Sequence, residues 1–444
     1  MARFLFLTIQ QFESDFYGSV GRELEQLGHE AAHVTVSRRS ARRLRARGLQ
    51  AHCLLDELGA PPADLHAAGA AAEAEFAVDV ADAVRTDSAS SQLSAAAATT
   101  RALRWLHALD RLIQRIAPDV LVPEVGAELP RTLAHAIGLR RSIPTFFLFY
   151  TIFPNPLRLY VDTMHAPIVP LDALRPLEPH EQEEVRSFVE SFTRRRSAIR
   201  THRRLGLTPR RLRNASSYVL ARLWEDRGNE YLRPGRWARD YATEFARRLA
   251  ARRYYASVPT GRFLYFPLHV VDDYKIARVI PHLSDQLGVV RALAAAAPAG
   301  VEVVVKEHPL SIGRNDLSLL RALRDTPNVR VVHPEVSSHD LIRDADGVVV
   351  LSSTVGLEAL LYERPVLTLG EPFYAGYGVT VDITRVDELA AAVPRLLSFR
   401  PDPARLEELL HAAMRACSPG APVLVDRSPG NARVLAHSLA SAAA

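Results

Sequence analysis

The chain has only two cysteines in 444 residues, Cys53 and Cys417. Neither a disulfide framework nor a cysteine-based zinc site can be built from them, and a reducing compartment fits. No run reaches the ~18 apolar residues of a membrane-crossing helix. The opening stretch, MARFLFLTIQQFESDFYG, has one arginine and a short apolar run but no small-residue cleavage site. It reads as a first strand rather than a signal peptide. No Asp-x-Asp metal clamp sits at a strand end. The closest match, VDD at 271–273, is in the wrong context, so metal-independent chemistry is expected. Zinc-finger spacing and aromatic-rich RNA-binding signatures are missing, which argues against a nucleic-acid partner. No internal repeat at a solenoid period occurs. A cytoplasmic protein is expected.

What is present is an ordinary globular composition, 48% apolar and 24% charged. The length is too great for one core, so two domains are expected. The net charge of +5 is unevenly spread. Arg38, Arg39, Arg42, Arg43, Arg45 and Arg47 crowd one segment. Nine arginines and no acid lie between Arg194 and Arg213. Solvated helix faces are the plain reading of both runs. The functional reading is attraction to an anionic membrane surface, at the inner face of the plasma membrane, or to a polyanionic acceptor.

Short apolar runs alternate with helical stretches in both halves, the pattern of a largely parallel, doubly wound sheet. In the first half the strands are RFLFLTI, HEAAHVTV, DVLVPE and PTFFLFY. The second half has five, RFLYFPL at 262, VEVVVK at 301, NVRVV at 328, GVVVL at 347 and PVLTL at 365. The expected division is an α/β domain over 1–178, a helical, Arg-rich connector over 179–255, a second α/β domain over 256–400 and a helical tail over 401–444.

Ligands of such sheets sit beyond the carboxyl ends of the strands, so the residues after each strand carry the information. GVVVL runs into Ser352, Ser353 and Thr354, which open a helix. The first N–H groups of a helix lack internal partners and suit a phosphate, and hydroxyls add donors. Simple N-capping is the alternative. Gly356 permits close approach. VEVVVK ends in Lys306, Glu307, His308 and Pro309. The proline biases His308 away from helical geometry, so the imidazole projects from the strand end. His269, with Asp272 and Asp273 beyond it, follows RFLYFPL. Glu371, Phe373 and Tyr374 follow PVLTL and are candidates to meet a base or sugar ring. In the first half, Glu124 directly follows DVLVP and is the first candidate for a catalytic carboxylate. Glu128, Glu13 and Asp15 are the runners-up, and Tyr150 follows FFLF.

Four motifs in order, YFPLHV, KEHP, SSTVGLEALLYERPVLTLGEPFY and YGVT, resemble the bacterial capsule polysaccharide biosynthesis family, which includes β-Kdo glycosyltransferases. The resemblance covers about residues 262–395. It implies a GT-B fold of two Rossmann-like domains, with the donor on the second and the acceptor on the first. It also implies a CMP-activated sugar as donor substrate and no further cofactor. On its own chemistry a charged His308 imidazole can balance phosphate or protonate a leaving group, which makes it a catalytic candidate. By the same resemblance His308 and Pro309 form the donor His-Pro motif. Ser352, Ser353 and Thr354 form the phosphate motif, and Glu358 reaches the ribose. The acceptor is expected to be a saccharide or glycolipid. Three other readings share parts of this pattern: a CDP-polyol phosphate transferase, a UDP-sugar epimerase and a non-catalytic capsule-assembly protein. VVLSSTVG lacks the Asp and Tyr that would favour the first of them.

Overall fold

The computed structural model describes residues 1–196, 219–270 and 273–444. They form two compact units. The first comprises the described parts of Met1–Met164, Leu207–Trp237 and Cys417–Ala444; the second those of His165–Gly206 and Ala238–Ala416.

In the first unit β1 (Arg3–Thr8), β2 (Glu30–Thr35), β3 (Gln50–Cys53) and β4 (Val120–Val122) form a parallel sheet in the order β3-β2-β1-β4. The apolar run of β1 is explained by burial on both faces. Phe4 and Phe6 point to one core, with Tyr17, Val20 and Leu24. Leu5 and Leu7 point to the other, with Leu103 and Leu106. β5 (Phe146–Tyr150) departs from the expected parallel pattern: it forms an antiparallel pair with β6 (Leu157–Val161) and touches the sheet through a bridge from Thr145 to Leu121.

The second unit has a fully parallel sheet of β7 (Arg262–Pro267), β8 (Val301–Lys306), β9 (Val329–Val332), β10 (Gly347–Val350), β11 (Val366–Thr368) and β12 (Val381–Asp382). Its order is β12-β11-β10-β7-β8-β9. Read from β9, this is the 3-2-1-4-5-6 order of dinucleotide-binding folds. Each unit therefore has the parallel α/β sheet of the expected GT-B-like class. The sixth strand, β12, is two residues long and too short to carry a periodic signal.

The 401–444 segment is not one tail. The Pro403–Arg415 helix lies in the second unit, where His411 Nε2 stands 3.7 Å from Glu181 and Arg415 pairs with Glu184. The Pro429–Ala442 helix lies in the first. Its Leu435, Ala436 and Leu439 bury against Val20 and Leu24 of the Gln11–Gln26 helix. Each helix goes where its apolar face is covered. The 179–255 segment likewise divides: described residues 219–237 belong to the first unit, whereas the Pro179–Arg195 helix and most of the Pro234–Ala251 helix belong to the second.

The first arginine run is largely spent inside its own unit. Arg38 pairs with Asp56, Arg42 with Glu225 and Arg43 with Asp15, and Arg47 donates to the Asp15 carbonyl. In the second run Arg194 pairs with Glu190 and Arg196 with Asp340. Arg200 to Arg213 lie outside the described residues, as does Asp272. Among the described residues no helix is long and apolar enough to cross a membrane.

His33, in β2, is fully buried, stacked on Phe6 with ring centroids 5.4 Å apart. Neither ring nitrogen has a hydrogen-bond partner among the described residues. Burial pushes its pKa down to about 3, and the Arg47 charge acts the same way. Between about 3 and 6.5 the unfolded chain binds a proton at His33 that the folded chain refuses. Stability present above pH 6.5 therefore drains as pH falls through that window, by up to about 5 kcal/mol. His33→Phe keeps the stack and removes the base. Urea unfolding at pH 7 and pH 4.5 should show the variant losing less stability than the wild type. Equal losses would exclude this role for His33.

Candidate functional site

In the second unit the chain leaves β7 for β8 on one side and reaches β10 on the other. A crevice opens at this topological switch point, beyond the strand ends. A cavity of about 200 Å³ lies there. Three strand ends line it: His269 after β7, His308 and Pro309 after β8, and Ser352, Ser353 and Thr354 after β10.

The peptide N–H of His269 donates to Gln286 Oε1 at 2.8 Å, which fixes its backbone. Its Nε2 accepts the N–H of Ser352 at 3.3 Å. That leaves the ring proton on Nδ1, 4.0 Å from the Asp273 carboxylate. Burial works against charge on Asp273, but the His269 hydrogen bond, the Lys275 N–H at 2.9 Å and the Lys275 charge hold it below the usual carboxylate range. His308 is extended, with φ −64° and ψ 139°, as a residue before proline should be. Its Nδ1 accepts the N–H of Leu310 at 3.1 Å. The neutral ring then carries its proton on Nε2. Burial lowers the His308 pKa, with Asp273 opposing, so the neutral form prevails at pH 7.

Two lysines supply fixed charge. Lys306, at the end of β8, is 5% exposed and donates to Ser338 Oγ at 2.6 Å. Burial lowers it to about 8, against the pull of Glu358. Glu358, on the Thr354–Leu361 helix, is pushed up to about 7 by burial, with Lys306 opposing. Glu358 therefore answers to Lys306 and does not line the cavity itself. Lys275 donates to the Ser352 carbonyl at 2.8 Å, and burial lowers its pKa. Sequence reasoning missed Lys275. It lies on a π-helical turn, Lys275–Val279, with no periodicity to mark it, and its one signal is its place in the loop after β7.

The remaining donor-side candidates have other duties. Ser353 is an N-cap whose Oγ accepts the N–H of Val355 at 3.2 Å, so capping occupies that hydroxyl. Tyr374 is fully buried and its OH donates to the Ser353 carbonyl at 2.5 Å, which removes it as a partner for a base or sugar ring. Gly356 serves Tyr374: a Cβ there would stand 2.1 Å from the phenol oxygen. Glu371 is exposed on the loop after β11 and is not among the cavity residues. Glu307 turns to Tyr255 and to Asn315, whose Nδ2 donates at 2.6 Å.

The first unit has its own cluster at the corresponding strand ends. Glu124, two residues past β4, is 4% exposed and sits at φ +65°, a left-handed conformation costly for a non-glycine residue. Its Oε1 has no hydrogen-bond partner among the described residues. The N–H groups of Val125 and Val423 reach its carboxylate, the former at 3.4 Å. Burial pushes Glu124 up to about 7, against the Arg131 charge. Burial also raises Glu128, with Arg131 again opposing. Glu13 is consumed locally: its Oε2 accepts from Ile9 and Gln10 N–H, and its Oε1 from Arg131 at 2.8 Å. Asp15 is held by Arg43 at 3.1 Å, apart from this group. Tyr150, on β5, is half-buried, and burial raises its phenol.

The family model described as capsule polysaccharide biosynthesis protein matches residues 207–414. Every strand end around the cavity falls within the matched residues, whereas the Glu13, Glu124, Glu128 and Arg131 cluster lies outside them. The capsule polysaccharide modification protein LipB of Neisseria meningitidis serogroup A is 30% identical over 151 residues, 31% of this chain and 33% of that protein. The chain thus aligns with about a third of the length of LipB. Protein FixF of Sinorhizobium fredii is 32% identical over 114 residues, 25% of this chain and 27% of that protein. Among solved structures, the Thermosulfurimonas dismutans KpsC β Kdo 2,4 transferase is similar at 20% identity and a TM-score of 0.39, covering 66% of this chain and 78% of that one.

Proposed function

We propose that the protein is a glycosyltransferase of capsule-type surface polysaccharide synthesis. It transfers an acidic sugar, Kdo or a relative, from a CMP-activated donor to a saccharide or glycolipid acceptor. The observation that supports this most is the switch-point cavity of the second unit, where two lysines, two histidines and a hydroxyl-rich helix start converge. Loss of a nucleotide from a sugar leaves negative charge on its phosphate, and preorganised cations and N–H donors stabilise that charge. Lys275 and Lys306 supply the cations, His308 Nε2–H a neutral donor, and the Thr354–Leu361 helix its N-terminal end. The carboxylate of the transfer step is assigned to Glu124, whose pKa near 7 suits proton exchange at neutral pH.

A thermal-shift series tests the donor. A ligand at ~100 times its Kd adds about 2.7 kcal/mol to folded-state stability. CMP should shift melting more than UMP, UDP or GDP, and Glu124→Gln should leave the CMP shift unchanged. A larger UDP shift would overturn the CMP-sugar reading in favour of an epimerase. Preference for CDP would favour a polyol-phosphate transferase.

A further inference from the structure

Glu13, Glu124 and Glu128 surround a single guanidinium, that of Arg131, which is itself 7% exposed. Nη2 of Arg131 donates to Glu13 at 2.8 Å, and Nη1 donates to the Val125 carbonyl at 2.8 Å. Nη1 also stands 3.1 Å from Glu128 Oε2. Gly126 makes this possible, because a Cβ there would lie 2.5 Å from Nη1 and 2.1 Å from Glu128 Oε2. No hydrogen bond joins Arg131 to Glu124.

One positive charge cannot balance three carboxylates in a buried site, so the least supported carboxylate takes a proton first. Glu13 receives three N–H donors, from Ile9, Gln10 and Arg131. Glu128 is about a third exposed and has the guanidinium beside it. Glu124 has one oxygen without a partner among the described residues, and only the N–H groups of Val125, at 3.4 Å, and Val423 reach its carboxylate. It is also the residue whose backbone is strained, on the turn that the Val125 carbonyl bond holds.

We infer that Arg131 is a positioning residue: by binding Glu13, Glu128 and the Val125 carbonyl, it holds Glu124 as the one carboxyl of the cluster free to exchange a proton with a substrate hydroxyl. In that step the hydroxyl O–H bond breaks, its electron pair stays on the oxygen, and the proton forms a new O–H bond on Glu124. The substrate role rests on the transfer reading above, but the charge division does not. The charged groups acting on Glu124 are Arg131 and Glu13, and those acting on Glu128 are Arg131, Glu13 and Asp87. A raised Glu124 and an Arg131 held firmly protonated agree with this division, while burial shifts Glu128 in the same direction as Glu124, against the adjacent guanidinium.

Infrared difference spectra of the full chain, recorded across pH, test it without any substrate. The wild type should show a protonated-carboxyl band with a midpoint near neutral pH, and Glu124→Gln should abolish it. Arg131→Met should raise the midpoint by about one pH unit or more. Arg131→Lys keeps the charge but loses the two-pronged grip, so it should raise the midpoint by less. A band that survives Glu124→Gln overturns the assignment of the proton. An unchanged midpoint in Arg131→Met overturns the role of Arg131, and if that variant does not fold, an unchanged midpoint in Arg131→Lys does so. The CMP melting shift is read separately, so failure here is distinguishable from failure of the donor reading.

Discussion

Lys306→Met should weaken CMP binding on the order of 100-fold, and wild-type affinity should fall as pH rises through about 8. Lys306 is buried at the end of β8, and burial has already lowered its pKa to about 8. Below that pH the ammonium is charged and presents its N–H donors to an anion. Above it the charge is lost, and with it the strongest attraction a buried lysine offers a phosphate. Removing one partner of a desolvated, hydrogen-bonded charge pair costs about 2–5 kcal/mol. A factor of 100 is about 2.8 kcal/mol, within that range. A bound phosphate favours the charged lysine, so CMP binding at pH 8–9 should also take up protons, a signal that calorimetry in buffers of different ionisation heat detects. Glu358 limits the damage, because its pKa near 7 lets it take a proton once Lys306 is gone. An affinity flat between pH 7 and 9.5 would remove Lys306 from the binding site, as would a Lys306→Met variant that binds CMP normally.

His308 and the Ser352-Ser353-Thr354 turn were legible in the sequence because their signals are local. A proline fixes the residue before it, and a strand that stops at hydroxyls and restarts as a helix announces a junction at the sheet edge. The parallel sheets were legible for a similar reason, since strands buried on both faces are written as unbroken apolar runs. What stayed hidden depends on partners distant in sequence. Arg131 reads as an ordinary helical arginine until the fold brings Glu13 to it across 118 positions. Lys275 reads as a loop lysine until it meets the Ser352 carbonyl. Tyr374 looked like a ligand-facing aromatic because nothing near it in sequence shows that Gly356 has been kept bare for its ring. The antiparallel pairing of β5 was legible but not used: Pro154, Asn155 and Pro156 mark a turn directly before LRLYV, its partner.

Gly356→Ala should destabilise the second unit by about 3 kcal/mol and abolish CMP binding with it. The new Cβ would stand 2.1 Å from the Tyr374 oxygen, 2.9 Å from Cζ and 3.1 Å from Val350 Cγ2. A flexible side chain would swing away, but this ring is held. Tyr374 is fully buried, packs edge-on against Phe373 at 5.2 Å, and donates its OH to the Ser353 carbonyl. The backbone of Leu357 and Gly356 also reaches that oxygen. Displacing the ring costs about 1–3 kcal/mol of overpacking, and losing the Tyr374 hydrogen bond costs about 1 kcal/mol more, since the Ser353 carbonyl keeps only the Gly356 N–H at 3.3 Å. The same displacement moves the Ser353 turn, whose neighbour Ser352 is gripped by His269 and Lys275. Stability and nucleotide binding should therefore fall together. Tyr374→Phe removes the atom at 2.1 Å and gives up the hydrogen bond, so alone it should cost about 1 kcal/mol. Combined with Gly356→Ala, it should cost less than the sum of the two, because the main clash no longer exists. Urea unfolding of the four proteins measures this coupling. A strictly additive pair would mean that the ring is not what Gly356 accommodates, and a Gly356→Ala variant of wild-type stability would mean that the ring yields freely.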